Sequence, residues 1–171
     1  MATVLGGAVP RIHPEVYSLA MPASPHIAAR AEHRSLQLAD IVTAAADIQS
    51  ACRAAGKPLV IEGAGGLLVP LNDHEFVADL IRQLQARVIL VSRNYLGSIN
   101  HSLLTAEFCR QYKLDVIGWI FNDQYLAYEE EIVRWSGFPA IGTIPFTSSP
   151  DKDFVAAQAA RLRTALTTLL W

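Results

Sequence analysis

Three short apolar runs, each followed by a helix-length segment of helical spacing, constrain this chain more than any other feature. The runs are Val88-Ile89-Leu90-Val91, Asp115 to Phe121 and Ala140 to Ile144. Helices are predicted behind them over about residues 99–112, 124–136 and 151–170, the last with Val155, Ala159, Leu162, Leu166 and Leu169 on one face. Strands that alternate with helices of this length pair in parallel, with helices on both faces of the sheet. Continuous apolar runs, as opposed to alternating ones, are what a sheet buried on both faces requires. The fold class predicted is therefore α/β, a parallel sheet flanked by helices.

The earlier part of the chain reads in the same alphabet. Residues 1–34 contain Pro10, Pro14, Pro22 and Pro25 and are predicted irregular, because proline fixes φ and removes a backbone donor. Ser35 is the expected cap of a helix over about 36–55, with Leu38, Ile41, Val42, Ala45, Ile48 and Cys52 at helical spacing and Gly56 at its end. Lys57 to Ile61 is predicted to be a further buried strand. Asn72 and Glu75 have capping-box spacing before a helix whose stripe is Phe76, Val77, Leu80, Ile81 and Leu84. Ligands of such sheets sit beyond the carboxyl ends of the strands. Glu62-Gly63, Ser92 to Ser98, Asn122-Asp123 and Pro145 to Ser149 all fall there, so four strand ends are predicted to share one rim.

The 171 residues suit one domain with a sizeable core, and 51% hydrophobic with 18% charged residues excludes a disordered chain. A net charge of -2 gives no electrostatic basis for binding nucleic acid or an anionic membrane. Cys52 and Cys109 lack metal-ligand spacing and read as small buried apolar residues, so a reducing cytoplasm is the expected compartment. No apolar run approaches the roughly 18 residues of a membrane span, and Met1 to Pro10 lacks the basic start of a signal peptide.

Candidate chemistry centres on Val60 to Leu71 (VIEGAGGLLVPL), where one carboxylate, Glu62, precedes a loop almost without side chains. Glu62 suits a hard cation such as Mg²⁺, and equally suits a surface pairing with an arginine. Gly63, Gly65 and Gly66 permit close backbone approach to a ligand, or simply a tight turn. Gly56-Lys57 is not a Walker A ending, because Pro58 replaces the required Ser or Thr and the pair enters a strand instead of leaving one. Asn122 offers both amide donor and acceptor to a purine edge, or serves as a turn or cap residue. His26 and His101 are polar contacts or structural hydrogen-bonders, and His13, His33 and His74 show no metal-ligand spacing with them.

Together these segments resemble the dethiobiotin synthetase family. Ser24-Pro25-His26-Ile27-Ala28-Ala29, Val60 to Leu71, Leu96-Gly97-Ser98-Ile99-Asn100-His101 with Leu103-Leu104-Thr105, Gly118 to Asn122 and Gly142-Thr143-Ile144-Pro145 are similar to family segments in the expected order. The resemblance implies a P-loop NTPase-like fold, a homodimer, and an ATP- and Mg²⁺-dependent ligase. Its reaction joins CO₂ to 7,8-diaminopelargonic acid: one amine becomes a carbamate, ATP phosphorylates it, and the second amine closes the ureido ring. By the same resemblance Glu62 is the metal ligand and catalytic residue, and Gly63 and Gly65 border the substrate. Gly97, Ser98, Ile99 and Asn100 receive the substrate's carboxylate across the dimer interface, and Asn122 and Pro145 line the adenine pocket. The family opens with a strand and a Walker A loop, and this sequence starts after them. An incomplete copy of a longer protein is the expected explanation. The alternatives are a separate chain that supplies the P-loop, or a non-catalytic relative or subunit that binds substrate or a partner.

Overall fold

The computed structural model describes residues 12–63 and 65–170, with the backbone alone at 170. The apolar start at Met1 to Pro10 and Ala64 of the glycine loop lie outside the described residues. The chain divides into two compact units, one of His13–Ala86 and one consisting mainly of the residues from Arg87 onward.

The first unit is helical. α1 (Pro25–Ala31) is a single short helix inside the stretch predicted irregular. Pro25 starts it, which is where proline's missing N–H and fixed φ fit. α2 (Leu38–Ala54) runs as its apolar spacing predicts, with Leu38 and Ala45 buried. Ser35 does not cap it: the cap position is Gln37, and the Ser35 hydroxyl instead accepts a bond from the Gln37 side-chain amide at 3.1 Å. α3 (Val77–Gln83) starts later than the Asn72/Glu75 spacing suggests. The Asn72 side-chain oxygen accepts the N–H groups of His74 and Glu75 in a turn of its own, and the Asp79 carboxylate takes over the cap by accepting the Phe76 N–H at 2.8 Å. Leu38, Leu71, Val77 and Leu80 form the core, with Ile41, Val42, Val69, Ile81 and Leu84 against it.

Lys57 to Ile61 is not a strand. It makes no ladder among the described residues, and Val60 is 81% exposed. An extended segment becomes a strand only through a neighbour that takes up its N–H and C=O groups. In this unit the described residues offer only the isolated Pro70–Phe76 bridge.

The second unit is a parallel sheet in the order β1-β2-β3. β1 is Arg87–Arg93, β2 Asp115–Asn122 and β3 Ala140–Ile144. α4 (Ser98–Gln111), α5 (Tyr128–Ser136) and α6 (Lys152–Leu170) follow them in turn. α4 packs on β1 and on α5, and α6 packs on β3. Ile117, Gly118, Trp119 and Phe121 of β2 are buried, as the two-face pattern predicts for a central strand. β1 departs from that pattern. It lies at the edge of this sheet, burying Val88, Leu90 and Ser92 on one face and leaving Val91 exposed. The Trp119 indole N–H donates to the Ser136 hydroxyl at 3.0 Å, which ties β2 to the end of α5. Among the described residues no helix is long and apolar enough to cross a membrane.

Candidate functional site

Parallel pairing brings the three strand tips of the second unit to one rim. Arg93 lies opposite Asn122, and Asn122 opposite Ile144. The predicted rim is thus present for three strands. The fourth position, Glu62, lies in the other unit and does not end a strand.

The turn after β1 is built to open a helix. Gly97 has φ +107°, a conformation that favours glycine, and caps α4. The Ser98 N–H returns to the Tyr95 carbonyl at 2.9 Å, and the Ser98 hydroxyl accepts the Tyr95 N–H at 3.3 Å. Ile99 and Asn100 follow in the first turn, and their N–H groups have no acceptor among the described residues. Such donors, aligned with the helix dipole, attract an anion. His101 is held by Tyr95, whose hydroxyl bonds its Nδ1. His26 likewise bonds the Ser24 hydroxyl through Nδ1, at 3.1 Å. Both histidines thus have structural partners.

Asn122 ends β2 with its side chain exposed and without a hydrogen bond among the described residues. It caps no helix, since Ala127 holds the cap position of α5. Its backbone is fixed: the Asn122 carbonyl accepts the Asn94 N–H at 2.8 Å, and the Asp123 N–H donates to the Ile144 carbonyl at 3.1 Å. Pro145 follows β3 directly and is half-buried.

In the other unit Glu62 is exposed and makes no ion pair or hydrogen bond among the described residues, so the arginine-paired alternative is not what is seen. Gly65 has φ +76°, and a Cβ there would lie 2.8 Å from the Val69 Cγ2. Gly63 is also close-packed, with Val77 Cγ1 at 3.2 Å from where its Cβ would stand. These glycines make the turn itself possible. The loop then closes on α3 through the Val77 N–H to Val69 and the Ala78 N–H to Leu67. Among the described residues no three His, Cys, Asp or Glu side chains cluster as a metal site. A Mg²⁺ bound largely through phosphate oxygens and water needs only one or two protein carboxylates, and an unpaired exposed Glu62 fits that role.

Sequence reasoning missed a polar cluster at the rim formed by Asn94, Asp123, Glu129 and Thr143. Asn94 and Asp123 fall in segments already placed at the rim, but the meeting with Glu129 and Thr143 had no signal beyond an acidic first turn, Glu129 to Glu131, at a helix start.

A parallel sheet with helix-opening turns at its carboxyl rim is an α/β architecture, and residues 1–152 match the AAA domain family, which places the chain in the P-loop NTPase-like class. The chain belongs to the family of the ATP-dependent dethiobiotin synthetases. It is 43% identical over 152 residues to the ATP-dependent dethiobiotin synthetase BioD of Cytophaga hutchinsonii, a match covering 88% of this chain and 70% of that one. With the BioD of Agrobacterium fabrum it shares 38% over 146 residues, covering 85% and 65%. With that of Paramagnetospirillum magneticum it shares 39% over 114 residues, covering 67% and 51%. The chain thus spans about half to two thirds of the length of these relatives.

Proposed function

We propose that this chain serves the ATP- and Mg²⁺-dependent closure of the ureido ring of dethiobiotin from 7,8-diaminopelargonic acid and CO₂, as a cytoplasmic homodimer. The observation that carries the reading is the start of α4: a left-handed Gly97 followed by two N–H groups without acceptors, on the same rim as Asn122. An elongated substrate with a terminal carboxylate suits those donors. Ser98 is buried and orders the turn, so Ile99 and Asn100 are the residues that meet the anion. The Asn122 amide reads the purine edge, with Pro145 beside it as an apolar wall. Glu62 holds Mg²⁺, and Gly63 and Gly65 keep the neighbouring backbone low. When bound, the metal supplies charge neutralisation for the transferred phosphoryl group. The chain's own contribution is orientation: it holds the diamine, as its carbamate, and the nucleotide for reaction.

Titration calorimetry tests the carboxylate half-site by itself. Diaminopelargonate is expected to bind saturably, and Gly97→Val to weaken it about tenfold or more by closing the left-handed turn. A turnover assay then adds the Walker A segment of a relative, because the 171 residues contain no such motif. Dethiobiotin is expected by mass spectrometry, with Glu62→Gln reducing its formation by at least about a hundredfold. Absence of both diaminopelargonate binding and product overturns the assignment.

A further inference from the structure

The rim contains a hydrogen-bonded cluster that the reading above leaves without a task. The Glu129 carboxylate, in the first turn of α5, reaches two strands at once. One oxygen accepts the Asn94 side-chain N–H at 3.3 Å, just beyond β1, and the other accepts the Thr143 hydroxyl at 2.6 Å on β3. Between those strands lies β2, whose tip is Asn122.

Asn94 is 5% exposed, and each of its donors serves this tip. Its backbone N–H holds the Asn122 carbonyl, and its side-chain N–H is shared between Glu129 and the Asp123 carbonyl, the latter at 3.2 Å. Its side-chain oxygen is buried and has no partner among the described residues. A buried acceptor left empty is unfavourable, so the amide is oriented by what its nitrogen donates to. Flipping it would aim an oxygen at two acceptors and is worse. Asp123 itself has φ +64°, with its carboxylate held by Arg93 at 2.7 Å and its N–H by Ile144.

We propose that Glu129 is a positioning residue for base recognition: by bridging Asn94 and Thr143 it holds the Asn122-Asp123 turn, and hence the Asn122 amide, in its binding geometry. This rests on the reading that Asn122 faces the adenine base. Glu129 touches no ligand in this scheme and acts only through its two partners. The arrangement needs an acceptor toward Asn94 and any hydrogen-bonding group toward Thr143, whose hydroxyl can donate or accept. Glutamine satisfies both needs, and alanine neither.

Adenosine alone is the probe, since it carries no phosphate, and the side-chain NH₂ of Asn122 is followed by NMR in the ¹⁵N-labelled full chain. Wild type is expected to show a saturable shift of that signal. If adenosine leaves it unmoved, the reading of Asn122 fails and the inference with it. Given a wild-type shift, Glu129→Ala is expected to bind adenosine about tenfold more weakly and to exchange the Asp123 amide faster, while the β1–β2 amides keep their protection. Glu129→Gln is expected within about threefold of wild type. Should Glu129→Ala not fold, Thr143→Val is expected to weaken adenosine by about threefold and Thr143→Ser to restore it. Wild-type affinity in Glu129→Ala or Thr143→Val, or equal losses in the alanine and glutamine variants, overturns the proposal.

Discussion

Gly118→Ala tests how the sheet positions the rim. Gly118 lies inside β2 with φ +149°, where L side chains rarely go. A Cβ built there would stand 2.6 Å from the Pro139 carbonyl oxygen and 2.9 Å from the Ile141 Cγ1. The nearest of these is backbone, and it is already the acceptor of the Trp119 N–H at 2.8 Å, so it cannot step aside without breaking that bond. Backbone strain of this kind costs about 1–3 kcal/mol, and forcing a methyl into packed structure adds about 1–3 kcal/mol. The sum, about 2–6 kcal/mol, is a large share of a typical domain stability of about 5–15 kcal/mol. Gly137→Ala is the control. Its φ is +69°, but the nearest heavy atom is 4.0 Å away, so conformation alone is charged, at about 1 kcal/mol. Urea unfolding followed by the fluorescence of buried Trp119 measures both. If the two variants lose stability within about 0.5 kcal/mol of each other, the steric reasoning at Gly118 is wrong.

Other outcomes follow from single contacts. Ser136→Ala is expected to cost about 1–3 kcal/mol in the same urea assay, because it strands the Trp119 indole N–H in the interior. Burial pushes the Cys109 thiol up to about 11 from an ordinary 9.0. Its native thiol is therefore expected to resist maleimide at pH 8 until the chain unfolds. The same shift has a sign in stability. Between pH 9 and 11 the unfolded state releases the proton while the native state keeps it, so the contribution is intact below 9 and lost as pH rises through 11. Wild type is accordingly expected to fall relative to Cys109→Ala as pH rises across that window, and parallel pH profiles for the two proteins would contradict it.

How much was legible follows from where each signal resides. β2 was readable because a continuous apolar run means burial on both faces, and β2 is the central strand, with Trp119 and Phe121 fully buried. α2 was readable because Leu38 and Ala45 recur on one face of a regular helix. The helix after β1 was readable from its helical spacing, whereas the left-handed Gly97 that opens it is a finding of the structure. Lys57 to Ile61 was not. Its composition is that of a buried strand, yet a strand exists only by hydrogen bonding to another segment, and composition does not name that segment. The Ser35 and Asn72 caps misled for a related reason: short polar side chains have several nearby backbone groups to choose from.

By itself the sequence determined the α/β class and the residue types available at the strand tips, because periodicity and local turn chemistry are properties of neighbouring residues, and it pointed to the family through the resemblance of its segments and their order. Only the tertiary structure decided that Asn94, Glu129 and Thr143, far apart along the chain, meet around the tip of β2. It also decided that the Asn122 side chain is exposed there, without a hydrogen bond among the described residues. Parallel pairing aligns strand ends whatever the length of chain between them, and a contact made that way leaves no spacing in the sequence to read.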